Sequence, residues 1–265
     1  MNRFVNHLGL FAKFWEPGRV KTRLAATLGN ELACELYKVF VFHLLDSMAP
    51  AAENATVVFS PPNRQADFET AIPTGWMFEP QSDGDLGDRM RHFFAGRLPN
   101  AESKVVVIGA DCPQLLAAEI ETAYDRLDQN DVVIGPSTDG GYYLLGMKGD
   151  LVEVFDNIDW STSAVLDQTI QRINQQGKTY ALLDARTDVD DEAALKQMLA
   201  ELSSTDSATQ ASHVAQSSLR KYQRRCPKAT YRDRANRYLG RWRNWSLDRL
   251  RAFRPWPPGY ANRCQ

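Results

Sequence analysis

The chain has 265 residues, of which 43% are hydrophobic and 24% charged, and its formal net charge is −2 at pH 7. This length allows one large domain or a domain with an appendage, and the composition suits a globular protein with an apolar core. No apolar run approaches the roughly 20 residues that a helix needs to span a bilayer, which argues against an integral membrane protein.

The first two hundred residues alternate short β-rich runs with helical periodicity, which is typical of a doubly wound α/β sheet flanked by helices. A glycine turn separates the fifth and sixth runs, so the pattern predicts a mixed, mainly parallel sheet with at least one antiparallel strand. The predicted strands are Leu8–Phe14, Thr56–Ser60, Trp76–Glu79, Lys104–Gly109, Asp131–Gly135, Tyr142–Met147 and Thr179–Leu183. The predicted helices are Glu31–Met48, Asp85–Ala95, Ala117–Asp128, Ser163–Gln176 and Glu192–Leu202.

The composition changes after Leu202, which predicts a first domain over residues 1–202. Residues 203–218 are rich in Ser, Thr, Gln and Ala, as in a flexible linker. The tail, residues 219–265, has fourteen Lys or Arg against two Asp, a charge of +12, whereas residues 1–218 carry −14.

A basic amphipathic helix with aromatic residues is predicted within this tail, at residues 231–253. This pattern favours peripheral contact with an anionic membrane. Docking on the acidic first domain is an alternative, and nucleic-acid binding is a less favoured one.

Cysteine usage bears on the compartment. Cys34, Cys112, Cys226 and Cys264 show neither CxxC spacing nor a disulfide framework, which favours a reducing environment. The first 14 residues lack a small-residue cleavage site and do not resemble a signal peptide. We therefore expect a cytoplasmic protein, with the inner membrane face as the place of any peripheral attachment.

A cationic loop follows the first predicted strand. It surrounds a Pro17-Gly18 turn and contains Lys13, Arg19, Lys21 and Arg23. Fixed cations and exposed N–H groups suit a di- or triphosphate, although an ordinary basic surface loop is the alternative. The loop matches neither a Walker A motif nor a GxGxxG fingerprint.

Asp111 follows the buried run Val105–Ile108 and Gly109, so it lies at the end of a strand covered on both faces. Open α/β sheets bind ligands beyond the carboxyl ends of their strands. A carboxylate there is a candidate ligand for Mg²⁺ or Mn²⁺, which in turn holds phosphates. The alternative is that Asp111 caps the next helix.

Three further motifs offer ligand groups, each with a structural alternative. Asp85 stands at the beginning of a helix. It could cap that helix, or the helix N-terminus could face a ligand. Asp139 precedes two glycines that allow close backbone approach or simply form a hairpin turn. The third motif either covers a ligand with its tryptophan or caps a helix; its residues are Trp160, Ser161 and Thr162.

Acidic residues also precede the last predicted helix, in the run Asp188-Val189-Asp190-Asp191. One aspartate there could cap the helix while another reaches a metal ion.

The order of these motifs resembles the DUF2064 family of glycosyltransferase A-like proteins, whose members begin with Phe-Ala-Lys…Pro-Gly-Arg-Val-Lys-Thr-Arg-Leu. The resemblance covers roughly Leu8 to Leu199, and its most specific segments are Pro17–Leu24 and Asp139–Gly146. It implies a fold similar to nucleotide-diphospho-sugar transferases and nucleotidyltransferases.

The resemblance also implies roles for individual residues. Asp111 would be a metal ligand, joined by Asp188 or Asp190. Inverting chemistry would also require a base near the acceptor hydroxyl, for which Asp139 is a candidate. The nucleotide site would include Ala12, Lys13, Gly18, Arg19, Lys21, Arg23, Asp85, Gly140, Gly141, Trp160, Ser161 and Thr162.

The leading hypothesis is a metal-dependent glycosyltransferase that uses a nucleoside diphosphate sugar and an unidentified acceptor. The alternatives are a nucleotidyltransferase that releases pyrophosphate and a non-catalytic nucleotide-binding membrane adaptor.

Overall fold

The computed structural model describes residues 5–48, 51, 53–72, 75–98 and 103–203. From residue 204 onward, the predicted linker and the basic tail lie outside the described residues. The strands are β1 (Val5–Lys13), β2 (Asn54–Ser60), β3 (Met77–Pro80), β4 (Ser103–Gly109), β5 (Val132–Pro136), β6 (Tyr142–Lys148) and β7 (Tyr180–Leu182). The helices are α1 (Thr22–Leu28), α2 (Asn30–Met48), α3 (Gln65–Ala71), α4 (Leu86–Ala95), α5 (Ala117–Arg126), α6 (Val165–Gln175) and α7 (Glu192–Ser203).

The strands form one sheet in the order β3-β2-β1-β4-β6-β5-β7. β6 is antiparallel to β4 and β5, and the other neighbouring pairs are parallel. The predicted mixed, mainly parallel α/β fold is therefore confirmed. The strand order reverses between β1 and β4, and such a topological switch opens a crevice at the carboxyl ends of the two strands.

Helices cover β4 on both faces, which explains its uninterrupted apolar run. Val105 and Val107 join a core cluster that includes Phe93 and Phe94 of α4. Lys104, whose side chain alternates to the other face, donates from Nζ to the Tyr124 carbonyl of α5 at 2.8 Å. Helices α4 and α5 thus pack on opposite faces of β4.

Two short helices escaped prediction. α1 and α3 have seven residues each, and each buries a single large apolar side chain, Leu24 or Phe68. One buried residue gives no 3.6-residue period to detect. β1 begins at Val5 rather than Leu8 and ends at Lys13 rather than Phe14, a difference in boundaries within the same strand.

Residue contacts divide the chain into two discontinuous units. The first comprises Met1–Phe14 and Val39–Val189 and contains the sheet. The second comprises Trp15–Lys38 and Asp190–Gln265, and its described part contains α1, α7 and the first nine residues of α2. Among the described residues, no helix combines the length and apolar character that crossing a bilayer requires.

Gly9 in β1 provides a test of packing within the first unit. A Cβ at Gly9 would lie 2.6 Å from Cζ of the buried Phe93 ring, so we expect Gly9→Ala to lower the free energy of unfolding by about 1–3 kcal/mol. Gly109→Ala is the matched control, because Gly109 stands on the neighbouring strand with nothing within 4 Å of such a Cβ. Urea unfolding of both variants measures the difference, and equal losses would contradict the packing argument.

Candidate functional site

The carboxyl ends of β1 and β4 meet at the topological switch. Phe11 pairs with Gly109 in the parallel register, and Lys13 and Asp111 stand two residues beyond this pair on their respective strands. Lys13 is exposed and Asp111 is half-buried. A cation and a carboxylate therefore occupy adjacent strand ends, where an open α/β sheet binds its ligands.

The second predicted carboxylate in the first unit is attached to this rim by a backbone hydrogen bond. The Val189 N–H donates to the Asp111 carbonyl oxygen at 2.9 Å. Asp188, the residue before Val189, is half-buried. Asp111 and Asp188 are thus carried by two hydrogen-bonded backbone segments, although 77 positions separate them in the sequence.

Cys112 is buried directly behind these carboxylates. Burial is the main cause that raises the pKa of its thiol to about 12, followed by the negative charge of Asp188. The raised pKa disfavours the thiolate form, which lowers the reactivity of this thiol.

The donor set at the rim is compatible with a hard divalent cation. Within the described ranges, no group of three or more His, Cys, Asp and Glu is arranged to hold a metal ion. Mg²⁺, however, usually keeps several waters and binds through one or two carboxylates together with substrate phosphates. A cation held by Asp111 and Asp188 together with substrate phosphates therefore stays a prediction.

The cationic loop belongs to the second unit from Trp15 onward. Glu16, Pro17, Gly18 and Arg19 form a turn in which Gly18 has φ 78° and the Arg19 N–H donates to the Glu16 carbonyl at 3.0 Å. Arg19 and Arg23 are exposed. Pro17 and Gly18 thus occupy the two central positions of a tight turn before α1. The positive φ of Gly18 is what a type II turn requires at its third residue.

Lys21 differs from the other cations of this loop. Its backbone is left-handed at φ 48°, its side chain is 2% exposed, and Nζ donates to Asp190 Oδ1 at 2.7 Å. Asp191 caps α7, because its Oδ1 accepts from the Ala194 N–H at 2.9 Å. Two aspartates of the acidic run therefore have different structural roles: Asp190 forms an ion pair with Lys21, and Asp191 caps α7.

Asp85 has a structural role at the beginning of α4. Its Oδ1 accepts from the Asp88 N–H at 2.9 Å, and Asp88 Oδ2 accepts from the Asp85 N–H at 3.2 Å. This reciprocal capping box satisfies two donors of the helix N-terminus. The structural alternative accounts for Asp85, and its contact with a nucleotide stays a prediction.

The Asp139-Gly140-Gly141 segment forms the turn between β5 and β6. Asp139 is exposed, and its Oδ1 accepts from the Gly141 N–H at 3.0 Å. Gly140 has φ 91°, and a Cβ there would lie 2.3 Å from the Ser163 carbonyl oxygen. The need for glycine at position 140 therefore arises from a close approach within the protein.

Trp160 packs against another glycine. A Cβ at Gly87 would lie 2.7 Å from Cζ2 of the half-buried Trp160 ring. Thr162 Oγ1 donates to the Asp159 carbonyl at 2.7 Å, while exposed Ser161 has φ 67°. The alternative that Ser161 or Thr162 caps α6 is wrong, because the N-cap is Ala164 and no side-chain hydrogen bond caps the helix. Packing accounts for Trp160 and a local turn contact for Thr162, and contact of the three residues with a ligand stays a prediction.

Sequence reasoning missed an ion pair at the same rim. Arg186 Nε donates to Glu119 Oε1 at 2.7 Å, with side-chain exposures of 29% and 20%. The two residues are 67 positions apart, and neither belongs to a motif from which its partner could be predicted. The only signal was the position of Arg186, two residues before Asp188.

The comparisons with known proteins concern the family and the fold. The sequence model of DUF2064, described as an uncharacterized protein conserved in bacteria, matches residues 44–162. The predicted family resemblance is confirmed over these residues, whereas its predicted extent was Leu8 to Leu199. No protein of curated function matches the chain at a significant level.

Two of the solved structures that are similar to this chain illustrate the shared fold. A protein from Desulfovibrio desulfuricans G20, provisionally named a nucleotide-diphospho-sugar transferase, is 27% identical with a TM-score of 0.72, over 91% of this chain and 99% of that one. A cytidylyltransferase from Leptospira borgpetersenii is 13% identical with a TM-score of 0.50, over 76% and 87% of the two chains. The second likeness concerns the fold alone.

Gly140 allows a test of the close approach to Ser163. We expect Gly140→Ala to destabilise the protein more than Gly149→Ala, because both glycines have positive φ but only Gly140 faces a backbone atom within 4 Å. The difference in Tm between the two variants separates the cost of the steric clash with Ser163 from the cost of placing alanine at positive φ. Equal shifts in Tm would show that the contact with Ser163 relaxes freely.

The raised pKa of Cys112 gives a test of reactivity. At pH 8 the thiolate fraction is far below that of an ordinary cysteine, so we expect alkylation by iodoacetamide at least tenfold slower than for a cysteine peptide. Peptide mapping by mass spectrometry after timed labelling measures the rate. Rapid modification of Cys112 in the folded protein would contradict its burial.

Proposed function

We propose that this protein is a transferase that binds the diphosphate group of a nucleotide substrate at the β1/β4 rim. The finer proposal is a metal-dependent glycosyltransferase that uses a nucleoside diphosphate sugar donor. The observation that carries the proposal is the junction of Asp111 with the segment bearing Asp188 at the topological switch.

The likeness to the Desulfovibrio protein supports the proposal, because it extends over nearly all of both chains at 27% identity. A shared fold by itself does not define an activity, since unrelated reactions occur on one architecture. The reaction class therefore depends on the chemistry of the rim residues, which is consistent with a phosphate-bearing ligand.

Each rim residue has a distinct proposed task. Asp111 and Asp188 would hold Mg²⁺ or Mn²⁺, and the cation would offset the negative charge of the diphosphate leaving group. Lys13, at the end of β1, would contribute a second positive charge to the same phosphates. Asp139 is the proposed base for the acceptor hydroxyl, a role that would require its exposed carboxylate to reach the acceptor.

The cationic loop of the second unit is a separate source of proposed phosphate ligands. Arg19 and Arg23 are exposed, whereas Lys21 already pairs with Asp190. The arginines are better suited to this task, because their planar guanidinium groups can bind phosphate through two parallel hydrogen bonds. Among the three loop cations we therefore assign the larger contribution to Arg19 and Arg23.

A nucleotidyltransferase is the second candidate, and its support is the fold shared with the Leptospira cytidylyltransferase. The same carboxylates and cations would bind a nucleoside triphosphate, and pyrophosphate would leave. Incubation of the protein with each nucleoside triphosphate, Mn²⁺ and sugar phosphates, followed by a pyrophosphate assay, separates the two candidates. Sustained pyrophosphate release would favour nucleotidyl transfer over glycosyl transfer.

A thermal-shift screen tests the binding site directly. We expect a nucleoside diphosphate at about 100 times its Kd with Mn²⁺ to raise the Tm by about 5 °C or more, since such binding stabilises the folded state by about 2.7 kcal/mol. Asp111→Asn should remove most of this shift. The panel comprises UDP, GDP, CDP and ADP, each with and without Mn²⁺.

Asp125→Asn is the matched control for this screen, because Asp125 is an exposed carboxylate on α5, away from the strand ends. It should retain the full shift. A wild-type shift that survives in Asp111→Asn would refute the proposed site, and the absence of any shift across the panel would refute nucleotide binding.

A further inference from the structure

The segment that leads to Asp188 is held by backbone hydrogen bonds to β5. The Leu183 N–H donates to the Ile134 carbonyl at 2.9 Å, and the Arg186 N–H donates to the Pro136 carbonyl at 3.0 Å. The Thr138 N–H donates back to the Arg186 carbonyl at 2.9 Å. Ser137 and Arg186 form a parallel bridge, so the segment continues the direction of β7 past the end of that strand.

The same segment is tied to the other strand of the rim by the Val189 N–H···O bond to Asp111 at 2.9 Å. The side chain of Arg186 supplies a second tie, because its Nε donates to Glu119 Oε1 at 2.7 Å.

Glu119 is itself anchored at the start of α5. Its Oε2 accepts from the Leu116 N–H at 2.9 Å, at the end of the short loop that carries Asp111. One carboxylate of Glu119 therefore holds the Asp111 loop through one oxygen and the Asp188 segment through the other. Both connections lie within the first unit.

We propose that the Glu119–Arg186 ion pair is a positioning device that sets Asp111 and Asp188 at the spacing required by a divalent cation. This inference rests on the proposed function, because it assigns the two carboxylates to a metal ion. Groups that orient metal ligands typically change metal affinity 10–100-fold when they are removed. The planar fork of Arg186 matters here, since lysine keeps the charge but not the directed Nε–H donor.

The fold contains a matched control pair at another place in the first unit. Arg97 Nη2 donates to Glu79 Oε2 at 2.6 Å, with side-chain exposures of 15% and 30%. This pair joins the end of α4 to β3 and supports neither Asp111 nor Asp188. Loss of the Arg97–Glu79 pair measures how much a half-buried Arg–Glu pair contributes to stability, separately from any effect on metal binding.

The experiment is a titration of the full chain with Mn²⁺ alone, followed by electron paramagnetic resonance of the free ion. We expect Glu119→Gln and Arg186→Lys to weaken Mn²⁺ binding 10–100-fold, while Glu79→Gln and Arg97→Lys change it less than twofold. Asp111→Asn should abolish the site. Thermal unfolding of the four variants should give shifts of similar size, which separates positioning from general stability.

Hydrogen exchange gives a readout that needs no metal. The Val189 amide should exchange at least tenfold faster in Glu119→Gln and Arg186→Lys than in the two control variants, because the segment loses its second tie to the rim. Wild-type protein that binds no Mn²⁺ would overturn the metal part of the proposed function and, with it, this metal role. Wild-type binding that stays unchanged in Glu119→Gln and Arg186→Lys would overturn the positioning role alone.

Discussion

The parallel pairing of β1 with β4 is the interaction on which the rest of the rim depends. The chain places β2 and β3 on one side of β1 and begins the other half of the sheet with β4. Connections therefore leave these two neighbouring strands in opposite directions, and side chains beyond their ends border a crevice. The apolar faces of β4 hold this geometry, because α4 covers one face and α5 covers the other.

Several residues that looked like ligand contacts have structural tasks in the described fold. Asp85 caps α4, Asp190 forms an ion pair with Lys21, and Gly140 makes room for the backbone at Ser163. These contacts explain why the chain has these residues at these positions without a ligand. The proposed chemistry therefore depends mainly on Lys13, Asp111 and Asp188, which the ends of β1 and β4 and the Val189–Asp111 bond bring to one rim.

Cys112 illustrates how the same environment limits the chemistry that the rim can perform. Burial is the main cause that raises the pKa of its thiol to about 12, and the negative charge of Asp188 adds to it. The thiolate form is therefore disfavoured beside the two aspartates.

The sequence by itself determined the main strands, the mixed sheet and the placement of Asp111 at a strand end, because periodicity and turn residues report local burial and local backbone geometry. It also indicated the Pro17-Gly18 turn and the helix after Asp85. Only the tertiary structure decided that Val189 bonds to Asp111, that Lys21 pairs with Asp190, and that Arg186 reaches Glu119. The partners lie 67 positions apart for Arg186 and Glu119, 78 for Val189 and Asp111, and 169 for Lys21 and Asp190, and no local sequence pattern reports contacts over such separations.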